Sequence, residues 1–182
     1  MLVTFIILTF LFNCSAENRI LNDDPRLSLK NGVQYFNHSL FSGELVSFFK
    51  DGTKQVSIHY KEGLKDGKEI VFFANGKPLY EKNYIAGKLE GTHYGWHENG
   101  KPRFLSNFKN DTFDGDNYTW YPSGKLESYK KFSNDKFLGH RYWREDGSIF
   151  MNYIMKDDER IGLYGTKLCK KVRNKADENS AN

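Results

Sequence analysis

The sequence predicts an all-β protein: an elongated, single-layer antiparallel meander built from repeated β-hairpins of about 24 residues. Three observations predict it: evenly spaced glycines, aromatic residues at alternating positions between them, and turn-forming residue pairs at the glycines of one of two regular series. The 182 residues suffice for one domain or one repeat array, and the 16% of aromatic residues argues against disorder.

Two glycine series set the repeat length. The first advances by 24 residues four times and then by 23, and the second follows it by nine residues four times and then by eight. Both series therefore place one deletion in the same interval, between Gly139 and Gly147. The first series is Gly43, Gly67, Gly91, Gly115, Gly139 and Gly162; the second, predicted to form structural turns, is Gly52, Gly76, Gly100, Gly124 and Gly147.

The residues between the glycines predict strands and turns. Apolar residues three and five places after each of the first four glycines of the first series share one face of a strand, because side chains alternate with a period of two. Pairs such as Asn99-Gly100 and Asp51-Gly52 favour type I′ hairpin turns, in which both central residues have positive φ. The segments before the first-series glycines, such as residues 86–91, predict a looser turn.

These residues resemble the MORN-repeat variant family. Residues 94–101 (YGWHENGK) and 84–91 (YIAGKLEG) carry its pattern, and the resemblance covers residues 36–165. Many members are labelled bacterial lipoproteins or YwqK-type antitoxins, so the resemblance implies a hairpin array with a binding or antitoxin-like role. The last copy departs from the pattern, with Trp143 displaced by one and Met155 in place of an aromatic, as is typical of capping repeats.

The first 16 residues are interpreted as a signal peptide or lipoprotein leader. The apolar run at residues 2–12 is too short to span about 30 Å of hydrocarbon, which favours a secretory signal over a transmembrane helix. The run departs from a typical signal peptide in one respect, because no basic residue precedes it. We favour lipidation of Cys14, which follows Leu11-Phe12-Asn13; cleavage after Ala16 is the alternative. Cys14 and Cys169 are the only cysteines, so the mature chain has no internal disulfide under either interpretation.

The remaining segments complete the predicted domain organisation. Residues 17–33 are interpreted as a polar tether, residues 34–165 as an array of five to six hairpins, and residues 166–182 as a basic polar tail. The tail is a candidate contact for an anionic surface, although a solvated tail is favoured. Its basic residues are Lys167, Lys170, Lys171, Arg173 and Lys175.

The sequence does not predict an enzyme, a cofactor or a metal site. His93 and His97 would lie about 13 Å apart along a strand, too far for one ion. The recurring acids Asp66, Glu90 and Asp114 are interpreted as turn residues that bond their own backbone. No glycine-rich phosphate loop opens a helix, no nucleophile elbow is present, and the net charge of +4 does not point to nucleic acid.

A ladder of aromatic residues is the candidate binding face. It comprises Phe48, Phe72, Tyr94, Trp96, Tyr118 and Trp120. An inner packed face is favoured for it, and an exposed contact surface is the alternative.

We therefore expect a non-catalytic repeat scaffold that is exported and lipid-anchored at the cell envelope, or else secreted in soluble form. It would bind an as yet unidentified protein partner through an extended β surface, and it would reach the membrane through its lipid anchor. The alternatives are an antitoxin-like protein, which the leader argues against, and a module that contacts membrane or glycan through the aromatic face and basic tail.

Overall fold

The fold is seen in a computed structural model, which describes residues 18–165 and the backbone of residues 167–169. These residues form strands and turns, with no helix among them. The strands are β1 (Arg19–Leu21), β2 (Leu27–Lys30), β3 (Val33–Phe36), β4 (Ser39–Leu40), β5 (Gly43–Phe48), β6 (Lys54–Lys61), β7 (Leu64–Phe72), β8 (Pro78–Ile85), β9 (Lys88–Leu89), β10 (Gly91–Trp96), β11 (Pro102–Lys109), β12 (Thr112–Phe113), β13 (Gly115–Trp120), β14 (Leu126–Ser133), β15 (Lys136–Trp143), β16 (Ile149–Lys156), β17 (Glu159–Tyr164) and β18 (Lys167–Cys169).

Most of these strands belong to one large sheet. From β5 to β18 each main strand pairs antiparallel with the next along the chain, and the short strands β9 and β12 pair with β8 and β11. Hairpin follows hairpin without a crossover, which confirms the predicted all-β meander. A separate three-stranded sheet, β2-β3-β4, precedes it.

The interpretation of residues 17–33 as a tether is wrong for the described part of that segment. β1 pairs in parallel with β5, with Arg19 opposite Glu44 and Leu21 opposite Val46, and so covers the first edge of the large sheet. β2 and β3 form a hairpin around Asn31-Gly32. A strand of three residues is too short to show a period, and its pairing is decided by contacts with residues far along the chain.

The prediction of which turn is tight is also wrong. Only the glycine of each second-series turn has a positive φ, between 78° and 90°. In the first such turn the Gly52 amide donates to the Phe49 carbonyl oxygen (2.9 Å), the Phe49 amide donates to Thr53 (2.8 Å), and the Asp51 carboxylate accepts the Thr53 amide (2.9 Å). This is a three-residue loop whose glycine adopts the left-handed conformation after a type I turn.

The tight two-residue turns lie at the other end of each hairpin. Both central residues there have positive φ, as in Asn110 (50°) and Asp111 (67°), which is the type I′ pattern. These turns are Glu62-Gly63, Ala86-Gly87, Asn110-Asp111, Asn134-Asp135 and Asp157-Asp158. The sequence predicts a looser turn in these segments.

The register divides the large sheet into two faces, since residues that pair directly share a face. We call one the ladder face. A continuous row of paired residues crosses the sheet on it: Leu21, Val46, Ser57, Ile70, Glu81, Tyr94, Leu105, Tyr118, Tyr129, Arg141, Asn152 and Leu163.

The opposite face, which we call the spine face, carries most of the aromatic packing. Its rings follow one another with centroids 4.5–6.1 Å apart from His93 to Tyr153. The successive rings are His93, Phe108, Phe113, Phe132, Phe137 and Tyr153. Consecutive rings come from neighbouring strands and repeats, so this row joins the hairpins into one body.

Candidate interaction surface

The structure brings the predicted aromatic ladder together on one face. Two repeats each contribute a stacked pair from their first strand: Tyr94 and Trp96 stack at 6.0 Å, and Tyr118 and Trp120 stack at 5.8 Å. Phe48 and Phe72 occupy the Trp96 position in earlier repeats. The two stacked pairs lie in neighbouring repeats on the ladder face.

These aromatic residues are not covered like a core. Phe48 is 45% exposed and Tyr94 is 39% exposed, while the other four are half-buried. The exposed side chains Leu21, Ile154 and Ile161 share this face by register. The continuous ring packing lies on the spine face, while Phe48 and Tyr94 of the ladder are exposed.

Sequence reasoning missed the contributions of Leu21, Ile154 and Ile161 to this surface. Leu21 was assigned to the tether, and the other two lie in the repeat that departs from the pattern. Arg141 was missed as well: it occupies the position held by Tyr94 and Tyr118 in earlier copies. Counting from Trp143 instead of Gly139 would have placed Arg141 in that position.

The first edge of the ladder face holds a buried carboxylate. Glu44 is 5% exposed; it accepts hydrogen bonds from Arg19 Nε and Ser57 Oγ, both at 2.6 Å, and lies 3.4 Å from Lys54 Nζ. Burial alone would raise its pKa, but these hydrogen bonds and positive charges outweigh burial and lower the pKa of Glu44 to about 2. Glu44 thus stays ionised and ties β1 to β5.

A second polar group lies further along the same face. The Tyr129 hydroxyl donates to Asp116 Oδ1 at 2.8 Å, and Lys131 Nζ lies 3.9 Å from the same oxygen. Burial, together with the bond to the carboxylate, raises the pKa of Tyr129 to about 12. The phenol therefore remains a hydrogen-bond donor at neutral pH.

The two histidines with metal-like spacing have separate structural partners. His93 is 2% exposed, stacks on Phe108 at 4.6 Å and has its Nε2 3.1 Å from the Asn83 carbonyl oxygen. Burial lowers the pKa of His93. His97 Nε2 lies 2.8 Å from the Trp120 carbonyl oxygen of the next repeat. Within the described residues no group of three or more potential metal ligands occurs.

The recurring acids bond to the next repeat and not to their own backbone, so that part of the prediction is wrong. Asp66 accepts the amide of Ala86 (2.9 Å), Glu90 accepts that of Asn110 (2.9 Å) and Asp114 accepts that of Asn134 (3.0 Å). Each donor is the first residue of a tight turn, so each acid holds the turn of the following hairpin.

Two other predicted sites fall largely outside the described residues. Cys14 lies there, as do Lys170, Lys171, Arg173 and Lys175; of Lys167 only the backbone is described, in β18. In the part of the chain that the structure describes, no helix is long and apolar enough to cross a membrane.

Comparison with known families agrees with the repeat geometry. Residues 65–86, 89–110 and 113–134 each match the family described as the MORN repeat variant. Each matched segment ends on the first residue of a tight turn, namely Ala86, Asn110 or Asn134. Among curated proteins, none matches the chain.

Proposed function

We propose that this chain, which contains tandem MORN-variant repeats, is a non-catalytic scaffold that binds a protein partner through its ladder face at the cell envelope. The repeats supply a rigid, extended surface, and the stacked aromatic pairs supply regularly placed apolar contacts. Large aromatic side chains contribute much of the binding energy at protein interfaces.

The observation that carries the proposal is the unequal exposure of the two faces. On the ladder face the exposed apolar side chains Leu21, Phe48, Tyr94, Ile154 and Ile161 extend from the first edge to β17. A spread of exposed apolar residues over one face is typical of an interaction surface. On the spine face, where Tyr164 is also exposed, the rings from His93 to Tyr153 pack against one another in a continuous row.

The two faces provide a matched pair of variants. Tyr94 (ladder face) is 39% exposed and Tyr164 (spine face) is 44% exposed. Tyr94→Ala and Tyr164→Ala therefore remove the same side chain at similar exposure. Purified full-length protein is cross-linked in an envelope extract, the captured protein is identified by mass spectrometry, and its affinity is then measured with pure components.

We expect Tyr94→Ala to weaken the complex by about tenfold or more, as for a central aromatic contact, and Tyr164→Ala to change it by less than about twofold. Equal effects of the two substitutions would show that the ladder face is not the interface. A wild-type protein that captures no specific partner would contradict the scaffold function itself.

The envelope location depends on the leader at residues 1–16. We propose that Cys14 carries a lipid, which would hold the array at the membrane surface without a spanning segment. Cell fractionation of wild type and Cys14→Ser tests this: the wild type should sediment with membranes and the variant should not. Wild-type protein in the soluble cytoplasm would contradict an envelope role.

A further inference from the structure

A cavity of about 420 Å³ opens on the ladder face between β14, β15 and β16. We propose that it is a specificity pocket for an extended, acidic segment of the partner protein, taking an apolar side chain beside a carboxylate. The inference rests on the proposed scaffold function and names the partner chemistry that this surface recognises.

The pocket arises from the one-residue deletion in the last repeat. In the earlier repeats the residue directly after the first-series glycine has its side chain on the ladder face; these residues are Glu44, Lys68, Thr92 and Asp116. The deletion shifts the register so that Gly139 itself takes this position, with Lys131 and Ile154 as its cross-strand neighbours. The floor of the cavity therefore lacks a side chain.

A side chain at position 139 would not fit at the floor of the cavity. A Cβ atom at Gly139 would lie 2.9 Å from the Tyr153 carbonyl oxygen and 3.3 Å from the Ile154 Cα atom. Both contacts are to backbone, which cannot rotate away. Close strand approach thus requires glycine here, and the vacancy on the ladder face follows from it.

The walls of the cavity are apolar and its rim is cationic. Tyr129, Leu138 and Ile154 line it, and Ile154 is 57% exposed. Lys131 and Arg141 supply the positive charges, and none of the described lining residues is acidic. Such a lining complements a ligand that combines an apolar group with a negative charge.

Arg141 is the principal candidate for carboxylate recognition. Its guanidinium lies 5.7 Å from the centre of the Trp143 ring, and its Nε donates to Asn152 Oδ1 at 3.0 Å. Among the described residues it has no acidic partner, whereas Lys131 lies 3.9 Å from Asp116. A planar guanidinium oriented in this way can bind a carboxylate through two nitrogens.

The distance between the cavity floor at Gly139 and the Arg141 side chain matches the side-chain spacing of an extended peptide. Gly139 and Arg141 are two residues apart on β15, about 7 Å along the strand. Side chains i and i+2 of an extended segment have the same separation and point to the same side. A peptide lying along β15 would place an apolar side chain over Gly139 and the next acidic side chain at Arg141.

The test uses the purified full-length protein and fluorescein-labelled peptides of repeating Leu-Ser-Glu, with Leu-Ser-Gln and Ala-Ser-Glu versions as controls. Fluorescence polarisation gives the affinities. Lys131→Glu and Lys130→Glu are the matched variants, because the adjacent Lys130 is also exposed but pairs with Asn117 and His140 on the spine face. Arg141→Glu and the milder Arg141→Lys test the guanidinium, and thermal unfolding confirms that each variant is folded.

We expect the Leu-Ser-Glu peptide to bind at least about tenfold more tightly than either control peptide. Arg141→Glu and Lys131→Glu should each weaken it by about tenfold or more, Arg141→Lys by less, and Lys130→Glu by less than about twofold. Equal losses of peptide affinity in Lys130→Glu and Lys131→Glu would show that only net charge matters, and would overturn the proposal of a specificity pocket.

Two further outcomes separate the pocket from the scaffold. If vesicles of anionic phospholipid bind in an Arg141-dependent way and the peptide does not, the ligand is a membrane and the peptide proposal is overturned. If the captured protein partner depends on Tyr94 but is insensitive to Arg141→Glu, the pocket is overturned while the scaffold function stands. A partner lost with both Tyr94→Ala and Arg141→Glu, but kept with Lys130→Glu, supports both.

Discussion

The position of a residue within the repeat determines its contacts in this protein. His93 resembles a metal ligand in isolation, yet it is a buried ring that stacks on Phe108. Asn117 and His140 take the same row of the spine face in the next two repeats. The position accepts a polar ring or amide because backbone and side-chain partners lie within reach, as Asn83 does for His93 and Ser128 for His140.

Ala86 occupies a tight-turn position whose backbone conformation is unfavourable for alanine. It has φ of 48° at the first position of a tight turn, where a β-carbon is unfavourable; later copies have Asn110, Asn134 and Asp157 there. Asparagine tolerates this conformation better, so Ala86→Asn should stabilise the protein by roughly 0.5–1 kcal/mol. The midpoint of urea unfolding measures the change.

The reverse substitution is the control. Asn110→Ala places alanine in the equivalent turn, where φ is 50°. This substitution should lower the free energy of unfolding by a similar amount. The Asn110 backbone amide still donates to Glu90, so only the preference for positive φ changes. If Ala86→Asn fails to raise the midpoint while Asn110→Ala leaves it unchanged, conformational preference does not decide these turns.

At the scale of the hairpin, the stabilising feature is the clamp between repeats. In three of the tight turns the first amide donates to the acid of the previous repeat, and the second donates to a backbone carbonyl there, as Asp135 does to Phe113 (2.8 Å). A type I′ turn leaves these amides pointing outward, and the clamp satisfies them. The turn therefore also fixes the alignment of successive hairpins.

Removal of one clamp should weaken one interface between repeats. In Asp114→Ala the Asn134 amide loses its acceptor, and we expect a loss of about 1–2 kcal/mol in the free energy of unfolding. Asp114→Asn keeps an acceptor oxygen and should lose less than half as much. Hydrogen exchange at the Asn134 amide provides the local measurement; unchanged protection in Asp114→Ala would contradict the clamp.

At the scale of the whole molecule, each hairpin pairs only with its neighbours along the chain. Stability in such arrays is close to a sum of repeat and interface contributions. The sheet should therefore tolerate removal of a complete unit. The two ends differ from the interior: β1 covers the first edge by parallel pairing, and β18 lies at the other.

Deletion of residues 91–114 removes one 24-residue unit and joins Glu90 to Gly115, which preserves the acid-glycine step. We expect a folded all-β protein with a lower unfolding midpoint, measured by circular dichroism and chemical denaturation. Deletion of residues 91–102 removes half a unit and reverses the strand direction at the junction, so that protein should not fold. Equal behaviour of the two deletions would argue against modular stacking.

The meander, the repeat length and the grouping of Phe48, Tyr94, Trp96 and their counterparts on one face all follow from local sequence patterns. These features are local: a glycine every 24 residues and side chains alternating with a period of two leave few alternatives. The resemblance to the MORN-repeat variant rested on the same local pattern, and three of the copies match that family.

Features that depend on residues far apart in the chain could be seen only in the folded protein. Asn-Gly pairs suit both a type I′ turn and a loop with one left-handed glycine, so only the hairpin register identified the tight turns. Both sheet faces carry aromatic residues, and only the contacts between repeats showed that the continuous row of rings runs along the spine face. β1 has three residues and no periodic signal; it forms a strand because the open edge of β5 and the Glu44 carboxylate bind it.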